Sequence, residues 1–153
     1  MDHIAILRKA KITKDDNLLE DILAGTKTIE SRWYVNKISP WNKIRAGDVI
    51  YFKETGCPVT AVAETDRVLQ YADLNPKIVR DIIRNYGKQI VPRIKENAFL
   101  SWAKNETGKR YCILIFLKNV KKIAPFNINK TGFGISSAWL VVGDITNVRI
   151  PKK

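Results

Sequence analysis

Gly25-Thr26-Lys27-Thr28-Ile29-Glu30-Ser31-Arg32-Trp33 is the stretch from which the rest of the chain is read. Ahead of it, Leu18, Leu19, Ile22 and Leu23 recur at helical spacing, and Asp15-Asp16-Asn17 supplies cap candidates. Acids at Asp15, Asp16, Glu20 and Asp21 sit toward the N-terminal end of that helix, where its dipole favours them. Gly25 is the expected left-handed stop. From Thr28 the period changes to two, with Ile29, Ser31 and Trp33 on one face of a strand and Thr28, Glu30, Arg32 and Tyr34 on the other. Lys27 falls in the turn and leans over the second face, which gathers Lys27, Glu30 and Arg32 in one place. Two readings of that cluster stay open. It is a solvated strand face whose ion pairs contribute about 0–1 kcal/mol, or it is the floor of a partly desolvated cleft. In a cleft, Arg32 is suited to forked recognition of phosphate or a base edge, Glu30 to accepting from an exocyclic amine, and Lys27 to acting as a base or nucleophile.

The remaining chain supplies mostly strands. His3–Leu7 is short, apolar and partly β-branched. Ser39-Pro40-Trp41-Asn42 reads as a turn, Arg45-Ala46-Gly47-Asp48 as a tight connection into Val49–Phe52, and Thr55-Gly56-Cys57-Pro58 as a turn into a long strand over Val59–Leu69. Asn75-Pro76 opens a helix with an Ile78, Val79, Ile82, Ile83, Tyr86 stripe, and Gly87 is its expected stop. A second helix is predicted over Pro92–Lys104, with Ile94, Ala98, Leu100 and Trp102 as its apolar positions. Asn105-Glu106-Thr107-Gly108 reads as a loop, and Tyr111–Val120, the most apolar run, as a central buried strand. Pro125 and Asn127–Gly132 read as loop, Ala138–Val142 as a strand, and Val148–Ile150 as a last short strand. Strands joined by short turns, with helices in two groups, indicate an α+β domain whose strands close into a small barrel.

At 153 residues, 45% hydrophobic and 27% charged, the chain has the composition of one ordinary globular domain. No run approaches the roughly 18 apolar residues that a membrane helix needs. The opening Met-Asp-His-Ile-Ala-Ile-Leu-Arg is too short in apolar residues for a secretory leader, so a cytoplasmic protein is expected. Cys57 and Cys112 are then expected as free thiols, and a single histidine, His3, leaves a zinc site without ligands; no metal and no cofactor are expected. The net charge of +12 is unevenly placed. Through Asn75, 11 Lys and Arg balance 11 Asp and Glu, whereas from Pro76 onward 16 face 4. A basic second half of that size attracts polyanions.

The pattern Gly25-x-Lys27-x-x-Glu30-x-Arg32 resembles the G-x-K-x-x-E-x-R signature of the ASCH domains, and the likeness takes in the preceding Leu19–Ala24 helix and the Ala46-Gly47-Asp48-Val49 strand entry. The resemblance implies the PUA-like fold, a small β-barrel with flanking helices. It also implies a single ASCH/PUA-like domain over residues 1–153, with a helical insertion near 75–104, and a cleft where the signature meets RNA or a nucleobase-like ligand. One branch of the family removes the acetyl group from N4-acetylcytidine with the signature Lys, a Thr three residues later and a distant Glu; Lys27 matches, but Glu30 stands where that branch has Thr. Other members are described as RNA-binding modules or ribonucleases.

The expected function is therefore binding of a nucleobase or a short single-stranded RNA. Lys27, Glu30, Arg32, Trp33 and Trp41 are the candidate binding residues, with a basic helical ridge of Lys77, Arg80 and Arg84 to hold phosphates. The alternative is an enzyme on modified nucleosides or RNA, with Lys27, Glu30 and Glu64 as catalytic candidates. A protein-interaction domain using the basic face for an acidic partner is a third reading. Trp139, in Ala138-Trp139-Leu140-Val141, reads as core.

Overall fold

The computed structural model of the chain describes residues 1–8, 17–105 and 108–151. Asp15 and Asp16 lie outside them, as do Glu106 and Thr107 of the anticipated loop; Asn17 caps the first helix, its side chain accepting from the Glu20 N–H at 3.1 Å. In chain order the elements are β1 (Asp2–Leu7), α1 (Leu18–Ala24), β2 (Ile29–Tyr34), β3 (Val49–Glu54), β4 (Val59–Tyr71), α2 (Pro76–Ile90), α3 (Glu96–Asn105), β5 (Tyr111–Phe126) and β6 (Trp139–Gly143), followed by a 3-10 turn at Ile145–Asn147.

The strands form one mixed sheet in the order β2-β5-β4-β3-β1-β6. β1 runs parallel to β3 and every other neighbour is antiparallel. The long pair β4–β5 slips register at three places, between Val59 and Ala61, Val62 and Glu64, and Thr65 and Arg67. Such register irregularities, bulges among them, bend the strands and raise their twist. The sheet therefore curls into a half-barrel, and its two ends, β2 and β6, turn back toward each other without a backbone ladder between them.

Curling gives the sheet an inside and an outside, and strand alternation assigns residues to each. On β5, Ile113 and Ile115 point into the barrel with Ala5, Ile50, Phe52, Ala61 and Ala63, while Leu19 and Ile22 of α1 join that interior. Cys112 and Leu114 point outward with Ile29 of β2, and α2 and α3 cover them through Ile82, Ile83, Ile90 and Phe99. This two-sided burial is why β5 opens on an unbroken apolar run instead of an alternating one. Each of these fully buried branched side chains contributes about 1.5–3 kcal/mol of transfer free energy.

Four local expectations are corrected. Gly87 does not end α2: the helix continues to Ile90, and a Cβ at Gly87 would lie 3.3 Å from Ile83 Cγ2 and 3.7 Å from Phe99 Cδ2. Its small size serves the close approach of α3, not a turn. Helix α3 starts at Glu96, so its buried stripe includes Phe99 and leaves Ala98 exposed. Pro125 lies within β5, in the segment where the register with β4 slips and no ladder N–H is required of it. Finally, the strand expected over Val148–Ile150 is replaced by a 3-10 turn at Ile145–Asn147, after which, among the described residues, the backbone pairs through an isolated bridge between Ile128 and Arg149.

Candidate functional site at the open seam

The site is assembled from the end of α1 onward. Gly25 adopts φ +80°, which lets its N–H reach Ile22 O at 3.1 Å while Thr26 and Lys27 N–H both reach Asp21 O at 3.0 Å. A left-handed backbone of this kind costs a residue with a Cβ about 1 kcal/mol or more. The chain leaves the helix toward the C-terminal end of α2, where the Thr28 N–H donates to Gln89 O at 3.0 Å. Lys27, 1% exposed, is thereby carried into the protein interior.

There its ammonium donates to Ile90 O at 2.7 Å and Ile29 O at 2.6 Å and lies 3.4 Å from Glu30 Oε1. Ile90 is the last residue of α2, whose terminal carbonyls lack intrahelical partners and carry the negative end of the helix dipole. Thr28 O accepts from the Leu117 N–H of β5, so alternation points Ile29 O away from β5, toward the unpaired edge. Glu30 Oε1 caps the next outward group, the Ser31 N–H, at 3.0 Å, and Oε2 accepts from Arg32 Nη2 at 3.2 Å. Arg32 continues across the seam, with Nη1 donating to Ala138 O at 3.1 Å and Nη2 to Ile6 O at 3.3 Å. The three charged residues thus serve backbone groups at the seam, and Arg32 spans the gap that no strand ladder closes, adding a second donor to Ala138 O, which already accepts from the Ile6 N–H at 2.9 Å.

Burial sets the electrostatics. Desolvation lowers the Lys27 pKa, against the opposing pull of Glu30. For Glu30, burial alone would raise the pKa, but the adjacent Lys27 and Arg32 cations outweigh it and hold the carboxyl below its ordinary value. The ammonium of Lys27 thus donates to two backbone carbonyls and lies beside the Glu30 carboxylate at 3.4 Å. In this arrangement Lys27 has a structural part as a cation, tying the carbonyls of Ile29 and Ile90 to the Glu30 carboxylate.

Beside this network opens a cleft of about 930 Å³ between β2 and the β1–β6 side. Its floor includes Lys27, Glu30, Ser31 and Arg32, and one wall is aromatic, formed by Trp33 with Phe99 and Trp102 of α3. These three rings pack edge-on at centroid separations of 6.5, 6.1 and 5.6 Å. The other wall is the loop before β6, with Phe133, Ser136 and Ser137, together with Trp139 at the start of β6; the lining also includes the cations Arg8, Lys43 and Lys109.

Lys27, Glu30, Arg32 and Trp33 come together at the cleft. The other named candidates do not join them. Trp41 packs edge-on against Tyr111 at 5.0 Å and is not part of the lining. Glu64 lies on β4 opposite Lys118 and accepts from Asn119 on the outer surface at 3.2 Å. Lys77, Arg80 and Arg84 lie exposed on α2 outside the lining, and Arg84 Nε is 3.9 Å from Glu96 Oε1. Conversely, Phe99, Phe133, Lys43 and Arg8 were not singled out, because each enters the cleft from an element remote in sequence and carries no local pattern. Trp139 is buried as expected, yet it also lines the cleft and lies under Arg32, whose Cζ is 5.2 Å from the ring centroid. Among the described residues, no three His, Cys, Asp or Glu side chains come together as metal ligands.

No family model and no curated protein matches the sequence. Solved structures do match the fold. An ASCH protein from Zymomonas mobilis superposes with a TM-score of 0.57 at 16% identity, over 82% of this chain and 73% of that one. A mutant of the same protein gives a TM-score of 0.57 at 17% identity with the same coverage. A hypothetical protein matches over its whole length and 80% of this chain, with a TM-score of 0.51 and 16% identity. The curled half-barrel with its helices is thus the small α+β, PUA-like fold of the ASCH structures.

Proposed function

We propose that the protein binds RNA, seating a nucleobase or a short single strand in the seam cleft. The observation that carries this reading is the composition of the cleft: an aromatic wall of Trp33 and Trp102 faces serine hydroxyls and the cations Arg8, Lys43 and Lys109. Unpaired bases are held by stacking on aromatic rings and their phosphates by neighbouring cations. Arg32 and Glu30 act mainly by shaping the floor, since most of their polar atoms already face protein partners. The basic second half of the chain adds a long-range field that draws in polyanions.

Fluorescence anisotropy with a labelled single-stranded RNA tests the proposal. Affinity in the micromolar range or tighter is expected, falling steeply with salt as phosphate counterions are released. Trp102→Ala is expected to weaken binding about 5- to 160-fold, the range for loss of one stacked base. Lys43→Ala is expected to weaken it and flatten the salt dependence. Absent or salt-insensitive binding overturns the reading. A second reading, an enzyme acting on a modified nucleoside, draws on the buried Lys27–Glu30 pair at the cleft floor. Incubation with N4-acetylcytidine decides it: deacetylation that disappears in Lys27→Met while the fold persists favours the enzyme, and unchanged substrate rejects that activity.

A further inference from the structure

His3 lies on β1 with its side chain fully buried, and both ring nitrogens have partners. Nε2 is 2.8 Å from Asp48 Oδ2, and Nδ1 is 3.1 Å from Trp139 Nε1. An indole nitrogen always carries its proton and only donates. Nδ1 must therefore be the acceptor, so Nε2 carries the ring proton and donates it to Asp48. Asp48 is itself held by the Arg45 N–H at 3.1 Å and by the N-terminal amine at 3.6 Å. On its other side, the fixed indole presents its face to the Arg32 guanidinium at 5.2 Å. Asp48, His3, Trp139, Arg32, Glu30 and Lys27 thus form one continuous chain of contacts from the β3 entry to the cleft floor.

We propose that His3 is a positioning residue for the cleft: as a neutral imidazole it accepts the Trp139 N–H, fixes the indole under Arg32, and so sets the guanidinium that shapes the ligand floor. Protonation removes this link, because an imidazolium donates at both nitrogens and meets the indole donor head-on. The charged groups facing His3 are Asp48 from the turn before β3, the Met1 amine and Asp2 at its own end of the sheet, and Arg32 beyond the indole. Burial lowers the His3 pKa from its ordinary 6.5 despite Asp48, so the neutral form prevails at pH 7. Binding is then expected to decline as pH falls below that ordinary value.

The binding part of the inference rests on the proposed cleft function, but the link from His3 to Arg32 does not. ¹⁵N NMR of the full chain reads that link directly, through the Trp139 indole N–H (assigned with Trp139→Phe) and the Arg32 Nε–H. On acidification both signals are expected to shift with one common midpoint. In His3→Gln, which retains a hydrogen-bonding side chain but does not titrate, both are expected to lose that pH dependence. An Arg32 signal that ignores His3 overturns the proposal whether or not RNA binds. With a fluorescein-labelled single-stranded RNA, the wild type is expected to lose about five-fold in affinity on His3 protonation, the factor a neutral hydrogen bond is worth. Trp139→Phe, which keeps a ring under Arg32 without the N–H, is expected to bind with that pH step abolished. An unchanged step in Trp139→Phe also overturns the proposal.

Discussion

Replacing Lys27 by Met keeps an unbranched, largely apolar side chain and removes the ammonium, with a thioether sulfur in place of one methylene. Two buried carbonyls, Ile29 O and Ile90 O, then lose donors at 2.6 and 2.7 Å, and Glu30 loses a cation at 3.4 Å. An unsatisfied buried polar group costs about 1–3 kcal/mol, and breaking a buried ion pair from one side costs about 3–5 kcal/mol. The contributions overlap, since one ammonium serves all three partners, so a total loss of about 3–5 kcal/mol is expected. Against the roughly 5–15 kcal/mol that holds a typical domain together, that is a large fraction. With a urea m-value of about 2 kcal/mol/M, the unfolding midpoint should fall by about 2 M. The assay is urea denaturation followed by tryptophan fluorescence, with Glu30→Gln and the double variant Lys27→Met/Glu30→Gln alongside. The double variant leaves no uncompensated carboxylate beside Met, so it should be more stable than the two single losses predict when added, by at least about 1 kcal/mol. A Lys27→Met loss below about 1 kcal/mol, or strict additivity, would refute the assignment of Lys27 as a structural cation.

Further outcomes follow from the same structure. The Glu30 pKa is held below its ordinary 4.5, so its contribution to stability is full above that pH and is lost as pH falls through the lowered folded-state value; acid titration of wild type against Glu30→Gln should show their difference shrinking over that window. His3 has the opposite charge type but the same direction in pH. Its folded pKa lies below 6.5, the unfolded chain takes the proton first, and stability should decline as pH falls from 6.5 toward the folded value, a step missing in His3→Gln thermal melts. Gly25→Ala should lower stability by about 1–2 kcal/mol because of its φ of +80°, with no clash to relieve, and thermal melting of the variant measures it. Glu64→Gln should change neither RNA affinity nor stability by more than about 0.5 kcal/mol, since its carboxylate meets Asn119 in an exposed contact; a larger loss of binding would extend the site to the outer face of β4.

Much of the local structure was legible because its determinants are local. The Gly25 stop, the two faces of β2 and the Asn75 cap depend on φ preferences and side-chain periods that neighbouring residues carry. Gly87 misled for the complementary reason: its role is set by Phe99, twelve positions away, and a glycine that makes room looks the same in sequence as a glycine that turns. Trp139 was half read, since an apolar context announces burial but is silent about which buried partners meet its N–H and ring.

The grouping of Lys27, Glu30 and Arg32 on one side of a strand was fixed by sequence alone, because a helix stop followed by a period of two leaves little choice. What those charges do there was decided by tertiary structure. The curl of β4 and β5 brings Ile6 and Ala138 within reach of Arg32, and the end of α2 brings Ile90 within reach of Lys27. Those carbonyls come from a strand, a loop and a helix up to 106 positions away from the residues they bind. A backbone acceptor carries no residue-type signature, so no inspection of the chain could have identified them as the partners.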